Sequence, residues 1–166
     1  MAGAVRRGLR AVARALSGRP AAGAPSDPVP RRPPAPGDHT GPWTASYSPA
    51  RDGRPDPGEV VWTWVPYEED PTQGKDRPAL IIGRDGGWLL ALQVTSQDHD
   101  RDADQEAEAG RFWVDIGTGA WDPQRRSSEA RVNRIIRIDP DAVRRIGAVL
   151  DRSTFETVAA EVRRHY

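Results

Sequence analysis

Two side chains stand where chemistry could be done. Arg77 opens the apolar part of Lys75-Asp76-Arg77-Pro78-Ala79-Leu80-Ile81-Ile82-Gly83, at the mouth of a short strand that follows a turn-rich segment. A guanidinium presents a planar fork of donors and keeps its charge at any ordinary pH, so it suits a carboxylate or a phosphate. Thr95 ends the next apolar run, Trp88 to Thr95, and its hydroxyl can hold an oxygen of the same anion. On these residues alone two readings stand for Arg77: an ion pair with Asp76 or a loop carboxylate, or a donor to a bound anion. Thr95 reads as well as an ordinary strand residue.

The other chemical candidates are sparser. Glu59 opens an apolar strand and reads either as a structural acid or as a proton-transfer group. His39, His99 and His165 are isolated, lack metal-ligand spacing and are expected at the surface. The absence of cysteine removes disulfides and zinc–thiolate sites and fits a reducing compartment. No metal and no cofactor is expected. No apolar run reaches the roughly 18 residues that a membrane span needs, and the basic N-terminus lacks the apolar core of a secretory signal. The expected location is the cytoplasm.

Eleven of the 16 prolines lie in residues 1–57, with almost no large apolar side chain after position 16. Such a segment buries too little surface to offset the entropy of ordering it. The expected organisation is an extended Arg/Pro/Ala/Gly-rich arm over residues 1–57 and one folded domain over 58–166. Within the arm, Val5, Leu9, Val12 and Leu16 share a helical stripe opposite four arginines, which predicts a basic amphipathic helix at residues 4–16 or a frayed end. The net charge of zero divides into +5 for the arm and −5 for the domain. Six acids against one arginine between Asp98 and Glu108 account for the domain's whole deficit. The rest of the domain is balanced, so it carries no strong basic footprint of a nucleic-acid binder.

The elements that must position Arg77 and Thr95 follow from periodicity. Glu59 to Tyr67 reads as a central strand, apolar on both faces. Arg77 to Gly83 and Trp88 to Thr95 read as a hairpin closed by Asp85-Gly86-Gly87. After an exposed acidic loop, Arg111 to Ile116 and Glu129 to Ile138 read as two further strands. In the last of these Val132, Ile136 and Ile138 face the core, and Arg131, Asn133 and Arg137 face out. Asp139-Pro140 signals a helix running to about Gly147. Ser153-Thr154-Phe155-Glu156 signals a second, with Phe155, Val158, Ala159 and Val162 on one face. Five short strands followed by two helices predict an α+β, mainly β fold: a small antiparallel barrel with two C-terminal helices.

Four pieces in this order resemble the PemK/MazF toxins of type II toxin–antitoxin systems. They are Gly58-Glu59-Val60-Val61-Trp62, Gly74 to Ile82 with its Arg-Pro pair, Val94-Thr95-Ser96, and Arg137-Ile138-Asp139 leading into a helix. The resemblance covers residues 58–160. It implies an SH3-like barrel, a homodimer, and a metal-independent endoribonuclease acting on single-stranded RNA. It also implies a cognate antitoxin, with operator DNA bound only by the toxin–antitoxin complex. Arg77 and Thr95 match the family's functional pair. Glu59, Gln97, Arg131 and Asn133 fall at positions expected to contact RNA.

The implied reaction uses the RNA 2′-hydroxyl as an internal nucleophile. The fork of Arg77 and the hydroxyl of Thr95 would hold the oxygens of the crowded phosphorus, a preorganised oxyanion site. The sequence departs from the family where some members carry a base: Asn133 is an amide, and the loop before the Arg-Pro strand reads Asp70-Pro71-Thr72-Gln73-Gly74. Glu59 remains as an acid, with His99 behind it. The acidic segment at 98–108 must face away from an RNA groove or restrain access to it, since six acids repel phosphate over a Debye length of roughly 8–10 Å. The alternative is a catalytically weak member of the same fold that binds through an antitoxin or operator DNA.

Overall fold

The computed structural model describes residues 37–97 and 103–166. The expected helix at residues 4–16 and His99 lie outside them. The strands are β1 (Asp38–His39), β2 (Glu59–Pro66), β3 (Gly74–Asp85), β4 (Trp88–Thr95), β5 (Trp113–Gly117), β6 (Ser128–Arg131), β7 (Ile135–Ile138) and β8 (Arg145–Val149). The helices are α1 (Ala103–Glu108) and α2 (Arg152–His165).

All strand pairs are antiparallel. The main ladder runs β1-β7-β4-β3-β2-β8, and β6 joins the end of β4 and carries β5. The ladder ends at β1 and β8 and does not close on itself. The mainly β architecture with a C-terminal helix is as the sequence predicts. So is the hairpin: Asp85 pairs with Trp88 across the two-residue turn Gly86-Gly87, where Gly86 takes φ +57°.

Alternation along the central strands makes two cores, one on each face of the sheet. Val60, Leu80, Ile82, Leu90 and Leu92 face the larger one, which α2 covers with Phe155, Val158, Ala159 and Val162. Each such side chain fully buried stabilises by about 1.5–3 kcal/mol, Ala159 by less. Val61, Val65, Ala79, Ile81, Leu89 and Ala91 face the smaller core. β2 is therefore central, as its doubly apolar pattern predicts. Its tryptophans are not core: Trp62 is half-buried, donating its indole N–H to the Trp121 carbonyl at 2.7 Å, and Trp64 is 49% exposed.

Five local expectations change. The predicted last strand, Glu129 to Ile138, is broken into β6 and β7. Six residues separate Ala130 from Ile136, whereas their β4 partners Val94 and Ala91 are three apart. The surplus bulges at Val132–Arg134 and resets which side each residue faces. Val132 and Ile135 enter the larger core, while Ile136 and Ile138 enter the smaller.

The helix predicted from Asp139 is a three-residue 3₁₀ turn at Pro140–Ala142, capped by Asp139 Oδ1 accepting the Asp141 N–H at 3.0 Å. The chain then extends into β8, which pairs with the open edge of β2. A glycine at 147 weakens a helix by about 1 kcal/mol, and a ladder is available instead. α2 starts two residues ahead of the predicted Ser153 cap: Asp151 accepts from the Thr154 N–H at 2.9 Å and its hydroxyl at 2.8 Å.

Residues 37–57, expected in the extended arm, lie against the domain. β1 pairs with β7, and the Ser46 N–H donates to the Ile82 carbonyl at 2.9 Å. Trp43, Ala45 and Tyr47 pack on the larger core, and the Tyr47 hydroxyl donates to the Leu150 carbonyl at 2.7 Å. Arg152 stacks over the Tyr47 ring and Arg163 over Trp43, so the strap grips α2. Gly83 makes room for it: a Cβ there would stand 2.6 Å from the Thr44 carbonyl oxygen. His39, within the strap, is buried and not at the surface, its Nε2 3.0 Å from the Pro42 carbonyl. His165 is half-buried and stacks on Phe112.

Candidate active site

β3 and β4 travel together only as far as the pair Ala79–Gln93. Beyond it they fork. β3 stays on β2, with Arg77 opposite Thr63, and β4 turns to β6, with Thr95 opposite Glu129. Arg77 and Thr95 stand on the two prongs, each two residues past the last pair, so both point to the face that Ala79 and Gln93 share. Both line a cleft of about 300 Å³, and both line a second of about 270 Å³ that adjoins it.

The two sequence readings of Arg77 are now separable. Asp76 points to the other side of β3, where it pairs with Arg144. Arg77 is half-buried and, among the described residues, carries no hydrogen bond or ion pair. The Thr95 Oγ1 accepts from the Gln97 N–H at 3.2 Å, which leaves its own proton to donate.

The larger cleft holds three further guanidiniums, and each has a carboxylate. Arg131 Nη1 meets Glu68 Oε2 at 2.7 Å. Arg111 grips Glu106 with both prongs of its fork, at 2.7 and 2.8 Å. Arg134 grips Asp38 at 2.8 and 3.1 Å and donates to the Pro66 carbonyl at 2.9 Å. The hydrogen bond from Arg131 holds the Glu68 carboxyl below its ordinary range, and the bond to Glu106 raises Arg111. The Trp113 indole also donates to Glu106 Oε2, at 2.9 Å.

The remaining predicted site residues divide. Gln97 is exposed at the end of the cleft, and Arg131 is buried in its wall. Asn133 is a brace beside it: Oδ1 accepts from Arg131 Nε at 3.1 Å and from the Phe112 N–H at 3.3 Å, and its amide donates to the Gly110 carbonyl. Glu59 is not brought to the cleft. It sits four residues along β2 from the partner of Arg77, fully buried, with Oε2 accepting the Asp56 N–H at 2.9 Å and Oε1 unpartnered. Burial raises its carboxyl above the ordinary range. Arg111, Trp113, Glu68 and Glu106 are cleft residues that sequence reasoning missed. The i, i+2 spacing of Arg111 and Trp113 was the available signal for that pair. Among the described residues no group of three His, Asp or Glu side chains gathers as for a metal ion.

The profile described as "PemK-like, MazF-like toxin of type II toxin-antitoxin system" matches residues 56–166. No curated protein sequence matches. Among solved structures, MazF (Form-I) from Deinococcus radiodurans is similar at 19% identity and a TM-score of 0.48, over 67% of this chain and 94% of that one. The MazE–MazF structure (Form-II) from the same organism is similar at 20% identity and a TM-score of 0.46, with the same shares of each chain.

Proposed function

The chain belongs to the PemK-like, MazF-like family of toxins of type II toxin–antitoxin systems, and from that premise we propose that it is an endoribonuclease that cuts single-stranded RNA at short sequence motifs. The observation that carries the proposal is Arg77, a cation without an acid partner among the described residues, facing the same cleft as the Thr95 hydroxyl.

The scissile phosphodiester sits between the prongs of the fork. Attack of the ribose 2′-hydroxyl on phosphorus forms one P–O bond as its proton passes to solvent water, and departure of the 5′-oxygen breaks another as it takes a proton from water, leaving a cyclic phosphate and a 5′-hydroxyl. Charge builds on the non-bridging oxygens in between. The Arg77 fork donates two parallel hydrogen bonds to them and the Thr95 hydroxyl a third. Arg131 steadies the chain beside them, held in its rotamer by Asn133. Glu59 has no part in this chemistry, being buried elsewhere on β2. An antitoxin is the partner, the chain acts as a homodimer, and operator DNA is bound only with the antitoxin.

The test is purified full-length protein on a long single-stranded RNA and on DNA of the same sequence. RNA is cut to fragments ending in 5′-hydroxyls, and DNA, which lacks the 2′-hydroxyl, stays intact. RNA left whole, or DNA cut as fast, would falsify the proposal.

A further inference from the structure

The cleft is richer in cations than one phosphodiester needs, and three of them are already engaged by carboxylates. Glu106 belongs to α1, a six-residue helix with no buried side chain. Its carboxylate nevertheless reaches into the cleft and takes the Arg111 fork and the Trp113 indole N–H, a planar oxygen pair gripped by three donors. A phosphate presents the same two-oxygen edge to a guanidinium. Glu68, on the loop after β2, does likewise for Arg131 with one short bond. Arg131 is 7% exposed at its side chain and so held in place, whereas Glu68 is 49% exposed and can swing away. Each pair keeps one member open to solvent, Glu68 in the Arg131 pair and Arg111, at 38%, in the Glu106 pair, and through it a polyanion can compete for the cation.

We propose that Arg111, Arg131 and Trp113 form a second subsite for the backbone of single-stranded RNA beside Arg77 and Thr95, kept shut by Glu106 and Glu68 standing where phosphate oxygens bind. This rests on the nuclease reading for its ligand class. Arg111 and Arg131 take the phosphates flanking the one held by Arg77, and the Trp113 indole N–H passes from Glu106 to an RNA oxygen. The acids do not screen the site at a distance. They fill it, and RNA must exchange with them.

The experiment is binding of a fully 2′-O-methylated single-stranded RNA, which has no nucleophile, to the full-length protein. Anisotropy is read across a salt series. Glu106→Gln and Glu68→Gln each tighten binding about tenfold, and the slope of log K against log salt steepens by about 0.7 per phosphate newly engaged. Glu108→Gln, on the exposed side of the same helix, changes net charge equally and moves affinity less than twofold. Arg111→Gln erases the gain in Glu106→Gln. Equal tightening by Glu106→Gln and Glu108→Gln overturns the proposal, as does no tightening in folded Glu106→Gln and Glu68→Gln. Tightening without cleavage of an all-ribose strand sinks the nuclease reading and leaves the subsite. Cleavage without tightening does the reverse.

Discussion

Asp76 and Arg77 are neighbours in the chain and have opposite fates: the acid pairs with Arg144 on one side of β3, and the base turns into the cleft and forms no ion pair among the described residues. Strand alternation alone keeps them apart. A cation left half-buried beside a hydroxyl is stabilised little by its own protein and is poised for an anion from outside.

That separation makes the two residues independent under mutation. Asp76→Ala removes a pair whose members are both substantially exposed, worth about 0–1 kcal/mol, and leaves RNA cleavage within about threefold. Arg77→Lys keeps the charge and loses the fork, and slows cleavage by about tenfold or more, by the 1.5–3 kcal/mol of a charge-assisted hydrogen bond. Initial rates on one RNA substrate decide it. Equal losses for the two variants would mean that Asp76 positions Arg77 after all.

The strap of residues 37–57 is tested through its closest approach to the sheet. Gly83→Ala sets a methyl group 2.6 Å from the Thr44 carbonyl oxygen and forces the strap outward. A loss of about 1–3 kcal/mol is expected, the usual cost of overpacking. Tyr47→Phe removes the hydrogen bond to Leu150 and costs about 1 kcal/mol. Urea unfolding measures both. A wild-type midpoint in Gly83→Ala means that the strap does not press on β3.

Glu59 gives a pH dependence of known sign. Burial raises its folded pKa above the unfolded value, so the folded state binds the extra proton between the two. Its stability contribution is therefore present below the unfolded pKa and lost as pH rises through the folded one. Glu59→Gln, which can still accept the Asp56 N–H, is expected to be more stable than wild type at pH 7 and to match it near pH 4. Thermal unfolding across that range checks the claim, and a stability gap that widens toward acid contradicts it.

The parts of the fold written in short-range pattern were legible in the sequence. Gly86-Gly87 could only be a tight turn between two apolar runs, and the stripe Phe155, Val158, Ala159, Val162 could only be a helix face. Features decided by distant partners were not. Asp139-Pro140 does start a turn, but the free edge of β2, some 80 residues earlier, claims Arg145–Val149 as a strand. The break at Val132–Arg134 exists because β4 divides its two ends between β7 and β6. In the strap, every second residue from Trp43 to Tyr47 is partly buried, yet proline, glycine and the lack of large aliphatics hid that period. The site divides the same way. Arg77 and Thr95 announced themselves by standing at strand ends. Glu68 and Glu106 did not, since their meaning lies in which arginines the folded chain brings to them.

The central claim is that Arg77 and Thr95 act on one phosphodiester, and a double-mutant cycle on RNA cleavage tests it most directly. Arg77→Ala and Thr95→Ala are each expected to slow cleavage by about 10²–10³-fold, as for loss of one oxyanion donor. The double variant should lose clearly less than the product of the two, because both donors serve the same charge. Cleavage at the wild-type rate in either single variant, or losses that simply multiply, would contradict it.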